Sequence, residues 1–313
     1  MTRIRPLPAI AFIVLACALA WLVALPLWMD GGLMNPLAGI LIPVMMFTPA
    51  LAVVIVMLVL RPVPKGERLR FLGIWPLRPA KRVIWMMVLG LFGPVFIVAA
   101  SLAIAALFGW VQLDLVAFSG LAESIEATLP PGAPMPPMIV VVLSQLVAIP
   151  FAAATINAVM AFGEELGWRG FLVPALRPLG TWPALLISGA IWGLWHSPVI
   201  LLGYNFGRYD ITGVLFMTGG CIAWGILLGW LRLRSASLWP AVFAHGAMNA
   251  TGGLILVLFA AGTTFDMALA GMLGVAGWIA CATAIVVLVL AGQFRRQPEL
   301  EGAPGRLLSA PRP

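Results

Sequence analysis

Few side chains in this chain could do acid–base chemistry, and they sit in apolar surroundings. The two histidines are His196 and His245, and the one adjacent acidic pair is Glu164-Glu165. A carboxylate and an imidazole that face one water molecule polarise it for attack on a carbonyl carbon. A second imidazole and a carboxamide can donate hydrogen bonds to the oxyanion that develops. Glu164, His196, His245 and Asn249 supply that set of groups. A serine–histidine–acid triad is absent, no cysteine lies at a comparable position on a site-bearing helix, and the His-Glu-x-x-His signature of helical zinc proteases is missing.

Helical spacing orders these residues on faces. Glu165 and Arg169 stand at i, i+4 with the acid first, the favourable arrangement for an ion pair. Glu164 then falls on another face, shared with Asn157 and Ala161, and has no cation in its own helix. Such a carboxylate in a partly dry site suits a general base near neutral pH. Ser188, Trp192 and His196 share one face of a second helix, and His245 and Asn249 share one face of a third. Simpler readings stand beside this one. The two glutamates could be solvated headgroup contacts at a membrane surface, and each histidine a hydrogen-bond donor between helices. Ionisable groups inside spans are costly, however, and mark functional sites by default. Counted at 1.5 Å per residue, His245 lies roughly 12 Å and His196 roughly 20 Å from their inner helix ends, so tilt must bring them level.

The elements that carry these residues are expected to cross a bilayer. Hydrophobic residues make up 62% of the 313, and charged residues 9%. The mean hydropathy is +1.07. A water-soluble fold has about 25% charged residues, so lipid must be the solvent for most of this chain. Apolar runs predict an all-α, polytopic bundle of about eight transmembrane helices, at 8–29, 37–60, 83–108, 138–162, 182–203, 211–231, 237–261 and 267–292. The run after the basic N-terminus is too long for a signal-peptide core and is kept as the first span. Alternation from a cytoplasmic N-terminus puts all but Arg208 of the 18 Lys and Arg residues on the inner side, in the N-terminus, 61–82, 163–181, 232–236 and the tail. The outer segments carry Asp30, Asp114, Glu123, Glu126, Asp210 and Asp266. That asymmetry predicts an N-in, C-in orientation. It also accounts for the net charge of +7 without nucleic acid as a partner. The three cysteines, Cys17, Cys221 and Cys281, lie singly in apolar runs and indicate neither disulfides nor a thiolate metal site. Residues 130–137 read as extended because of their prolines, and 298–313 as a disordered tail. The chain divides into 1–137, first helices and outer loop; 138–262, a core carrying the polar motifs; and 263–313, last helix and tail.

Glu164-Glu165-x-x-x-Arg169, then Trp192-x-x-x-His196, then His245-x-x-x-Asn249, on three separate spans, resembles the CPBP family of intramembrane endopeptidases. That family includes the CAAX prenyl endopeptidase of the Rce1 type and bacterial Abi-type immunity proteins. The resemblance covers about 138–255. It departs at Trp192, where the family usually has Phe. By position it implies Glu164 as general base and His196 as its helper in activating water. His245 and Asn249 would stabilise the oxyanion, with Glu165, Arg169 and Trp192 supporting them. Metal dependence is open. Metal-free hydrolysis is favoured because Asn249 is a poor zinc ligand and a good oxyanion donor, and zinc held by Glu164, His196 and His245 is the alternative. The implied partners are the lipid bilayer and a peptide or lipidated protein substrate. The implied place is the inner membrane of a bacterial cell, with the site reached from the cytoplasmic side. Two rival functions remain: a catalytically silent immunity or scaffold protein of the same fold, and a proton-coupled transporter. The first predicts a damaged motif and the second a polar path through the outer halves of the spans. The motifs are intact and those halves are largely Val, Leu, Ala and Ile.

Overall fold

The computed structural model describes residues 6–130 and 132–295. Arg3, Arg5, Pro131, Arg296, Arg306, Arg312 and the tail 298–313, all assigned above, lie outside the described residues. Ten helices form the frame: α1 (Pro6–Met29), α2 (Ala38–Met45), α3 (Thr48–Val59), α4 (Ala80–Leu107), α5 (Met138–Ala154), α6 (Ile156–Glu165), α7 (Thr181–Trp195), α8 (Ile211–Ser235), α9 (Trp239–Thr251) and α10 (Val275–Leu290). Short helical turns connect them. Among the described residues there is no strand beyond one isolated bridge, Leu113 to Phe259.

Each long helix turns Leu, Val, Ile and Phe outward on one side, as lipid allows and water does not. Among the described residues six helical stretches are long and apolar enough to cross a membrane, with α2 and α3 counted as one, or seven if the bent α5–α6 pair is one span. Eight were expected. The remaining one, 182–203, is realised as α7 and a separate turn, Ser197–Ile200, broken at His196. Pro198 is the local reason, because it has no N–H to donate to the Leu194 carbonyl, which accepts from the Ser197 hydroxyl instead.

A second expectation is overturned outright. Residues 163–181 were read as a cytoplasmic connection, but α6 runs on through a π-helical stretch, Leu166–Leu172, and a turn, Val173–Leu176. All of Gly163 to Leu176 is buried. Arg169 is buried inside this stretch, and so is Arg232 inside α8, although both were counted as surface topology signals. Arg232 donates to the carbonyls of Arg169 and Phe71, at 3.2 and 2.9 Å.

Segments that alternation assigns to one side meet in space. On the basic side the Leu238 amide donates to Gly73 at 2.8 Å, and the Trp239 indole to Ile74 at 3.2 Å. On the other side the Ala260 amide donates to Gln112 at 2.8 Å, and Arg208 pairs with Asp266. Asp114 ties down its exposed loop through the amides of Val116, Ala117 and Ser119. A hydrogen bond from the Ser119 side chain, the largest contributor, and these amides hold its carboxyl well below the usual carboxylate range.

Helix α9 is the centre of the bundle, packed on α4, α5, α6 and α8. Close approach needs small residues there. A Cβ on Gly246 would lie 2.4 Å from the Ala153 carbonyl oxygen, which is backbone and cannot step aside. Gly246→Ala is therefore expected to cost about 1–3 kcal/mol, read as a lower melting temperature in detergent. An unchanged melting temperature would show that the α5–α9 contact is looser than described.

Candidate active site

The site begins where α5 ends. Thr155 leaves helical backbone, and the chain bends by 43° into α6. The bend aims α6 across the bundle. Gly163, just before the acidic pair, lets α6 settle onto the α2–α3 break, where a Cβ would stand 2.7 Å from the Met46 carbonyl oxygen. Beyond Glu165 the π-helical turns add a residue per turn, a feature found often at functional sites.

The two glutamates face different surroundings. Glu165 is fully buried, and its Oε1 accepts from Arg169 Nη1 at 2.6 Å and from His245 Nδ1 at 2.9 Å. Glu164 lines a cavity of about 780 Å³, and neither Glu165 nor Arg169 does. Trp192 links the two halves. Its indole N–H donates to Glu164 Oε2 at 2.6 Å, while the Arg169 guanidinium lies 4.2 Å from its ring centroid. A phenylalanine at this position could stack but could not donate.

Both histidines line the same cavity as Glu164, and so do Asn249 and Asn157. The histidines reach it from different places, His196 at the break after α7 and His245 from within α9, with Trp192 beside both. The Trp192 ring lies 5.9 Å from His196 and 5.3 Å from His245. His196 Nδ1 is 2.8 Å from the Trp192 carbonyl oxygen, which can only accept, so Nδ1 carries the proton and Nε2 keeps a lone pair. By the same rule His245 Nδ1 carries a proton toward Glu165, leaving its Nε2 edge for the cavity. Trp195, packed edge-on against His196, is anchored by a 3.1 Å bond to Thr48.

Sequence reasoning missed Trp195, Tyr204, Asn205 and the methionines of the wall, among them Met46, Met160 and Met248. Their local sequence carries no polar motif, and only the packing brings them to the cavity. Cys221 approaches His196 Nδ1 at 3.9 Å, but that nitrogen is already bound to the Trp192 carbonyl and Cys221 does not line the cavity. Catalytic zinc needs three protein donors converging at about 2.0–2.2 Å. Among the described residues no group of three or more His, Cys, Asp or Glu side chains is placed to hold a metal ion. Glu164, His196 and His245 share a cavity without forming such a group.

The cavity wall includes Leu33, Ala38, Asn205, Gly253 and Met267, at the ends of the helices away from the 61–82 segment, as well as Met160 and Glu164 on α6.

Residues 136–251 match the family model described as type II CAAX prenyl endopeptidase Rce1-like. No curated protein matches the chain. The matched segment runs from the start of α5 through α9 and contains the three motifs, within a few residues of the 138–255 expected from them. Within residues 136–251 the chain is similar to the Rce1-like type II CAAX prenyl endopeptidases.

Proposed function

We propose that this protein is an intramembrane endopeptidase in which Glu164 and His196 activate the hydrolytic water. The observation that carries the proposal is the convergence of Glu164, His196, His245 and Asn249 on one largely apolar cavity. A water between the Glu164 carboxylate and His196 Nε2 attacks the scissile carbonyl carbon as Glu164 takes its proton. The new C–O bond drives the carbonyl electrons onto oxygen. That oxyanion is met by the Asn249 carboxamide and by the Nε2 edge of His245. Collapse of the tetrahedral species breaks the C–N bond, and the proton held by Glu164 goes to the leaving amine. Glu165 and Arg169 do not touch the reacting atoms in this scheme. They hold His245 and Trp192 in place.

The test is a comparison of peptide termini in membranes containing wild-type protein or Glu164→Gln at matched levels. New termini confined to wild type are expected, and they would identify the substrate as well. Identical termini with a substrate-rich membrane fraction would count against hydrolysis.

Trp192 offers a second check. Trp192→Phe keeps an aromatic ring under Arg169 and removes the donor to Glu164. A hydrogen bond to a charged group contributes about 1.5–3 kcal/mol, so kcat is expected to fall roughly 10–100-fold. KM and melting temperature are expected to stay near wild type. A kcat within twofold of wild type would remove Trp192 from the scheme.

A further inference from the structure

We infer that the cavity opens on the extracytoplasmic side of the membrane and takes an uncharged, apolar peptide segment presented from that face. The substrate part of this inference rests on the proposed peptidase activity, whereas the sidedness does not.

The two ends of the bundle differ in charge and in closure. One end carries Arg61, Lys65, Arg68, Arg70, Arg78 and Lys81, and the segment bearing them is strapped across it by hydrogen bonds. The 61–79 segment is bonded to Arg232 through Phe71, to Leu238 through Gly73 and to Trp239 through Ile74. Behind that strap, Leu166 to Leu176 are all buried. The opposite end has Arg208 as its one basic residue among those described, and Arg208 is paired with Asp266. Asp30, Asp114 and Asp210 lie at this end too.

The cavity belongs to the second end. It is walled by Ala38 at the outer start of α2, by Val199 just past α7, by Met217 near the outer start of α8 and by Gly253 just past α9. Leu33 and Asn205, in the connections on that side, line it as well. Lys and Arg in short loops mark the cytoplasmic face of a membrane protein. The strapped end is therefore cytoplasmic and the mouth faces away from it.

The wall also describes what enters. Its methionines, Met45, Met46, Met160, Met217, Met248 and Met267, form an adaptable apolar surface that accepts varied side chains. Asn157, Asn205 and Asn249 supply hydrogen bonds of the kind an extended peptide backbone needs. Among the described residues no Lys, Arg or Asp lines the cavity, and its one carboxylate, Glu164, is already bonded to Trp192, so a charged segment would lose its solvation without gaining a free partner.

Single cysteines report the side directly. Gly253 at the mouth and Gly66 in the strapping loop are both exposed, and a Cβ at either meets nothing within 4 Å. Gly253→Cys and Gly66→Cys are to be expressed at full length in a bacterial host and treated in spheroplasts with a membrane-impermeant maleimide. Wild type, which keeps Cys17, Cys221 and Cys281, sets the background. Labelling of Gly253→Cys in intact spheroplasts, with Gly66→Cys reacting only after lysis, is expected. The reverse pattern, or a Gly253→Cys that reacts under neither condition, would overturn the inference. Labelling needs no turnover, so a failure here is distinct from a failure of the peptidase proposal. For the substrate, a reporter peptide joined to the outer end of a membrane anchor is expected to be cut at least tenfold faster than the same peptide on the cytoplasmic end. Equal or reversed rates would overturn that part.

Discussion

Replacing Glu164 with glutamine is expected to lower the cleavage rate by at least about 100-fold, the lower end of what a positioned general base contributes. Glutamine is nearly the same shape and keeps a carbonyl oxygen that can accept from the Trp192 indole, now 2.6 Å from the carboxylate. What it loses is the ability to take a proton from water. The variant should therefore insert and melt like wild type, which separates loss of chemistry from loss of fold. Glu164→Ala should be at least as inactive, but it also opens space beside Trp192 and is the less clean of the two. Product formation at matched protein levels, with a melting curve on the same sample, decides the matter. A glutamine variant within a few fold of wild type would mean that Glu164 is not the base.

Glu165→Ala is expected to act through stability. Removing this carboxylate leaves Arg169 and His245, both buried, without their shared partner. Breaking a buried pair in this way costs about 3–5 kcal/mol, because the remaining charge has no solvent to turn to. The expected outcome is a strongly reduced yield of inserted protein, or a melting temperature lowered by many degrees. Activity should fall along with the folded fraction. Glu165→Gln retains an acceptor for His245 and for Arg169, and is expected to recover part of the stability. An alanine variant that melts like wild type yet cleaves nothing would exchange the roles of the two glutamates.

The contrast between Glu164 and Glu165 also marks how far the sequence could be read. The i, i+4 spacing of Glu165 and Arg169 identified the pair that forms, at 2.6 Å, and it left Glu164 on a different face. It could not show that the face of Glu164 meets Trp192, or that Glu165 meets His245 as well, since those bonds join residues 28 and 80 positions apart. The misread connection at 163–181 has a related cause. A lone arginine in an apolar run reads as a surface residue because burying a charge is costly. Here Glu165 offsets the charge and the Trp192 ring covers it, so the run stays inside. His196 was placed on the right face of a continuous helix, whereas the helix breaks there before Pro198 and the side chain reaches the cavity from the break.

The sequence by itself determined the solvent, the all-helical class, the one-sided distribution of basic residues and the three motifs that the family match also spans. These follow from composition and from spacing within single helices, which local chain geometry converts into faces. The tertiary structure decided which glutamate lines the cavity, what Trp192 donates to and which residues wall the cavity. Each of those depends on how one helix is rotated and shifted against another. That choice is made by packing among residues far apart in the chain, such as Gly163 on Met46 and Gly246 on Ala153. No periodicity within a single helix records it.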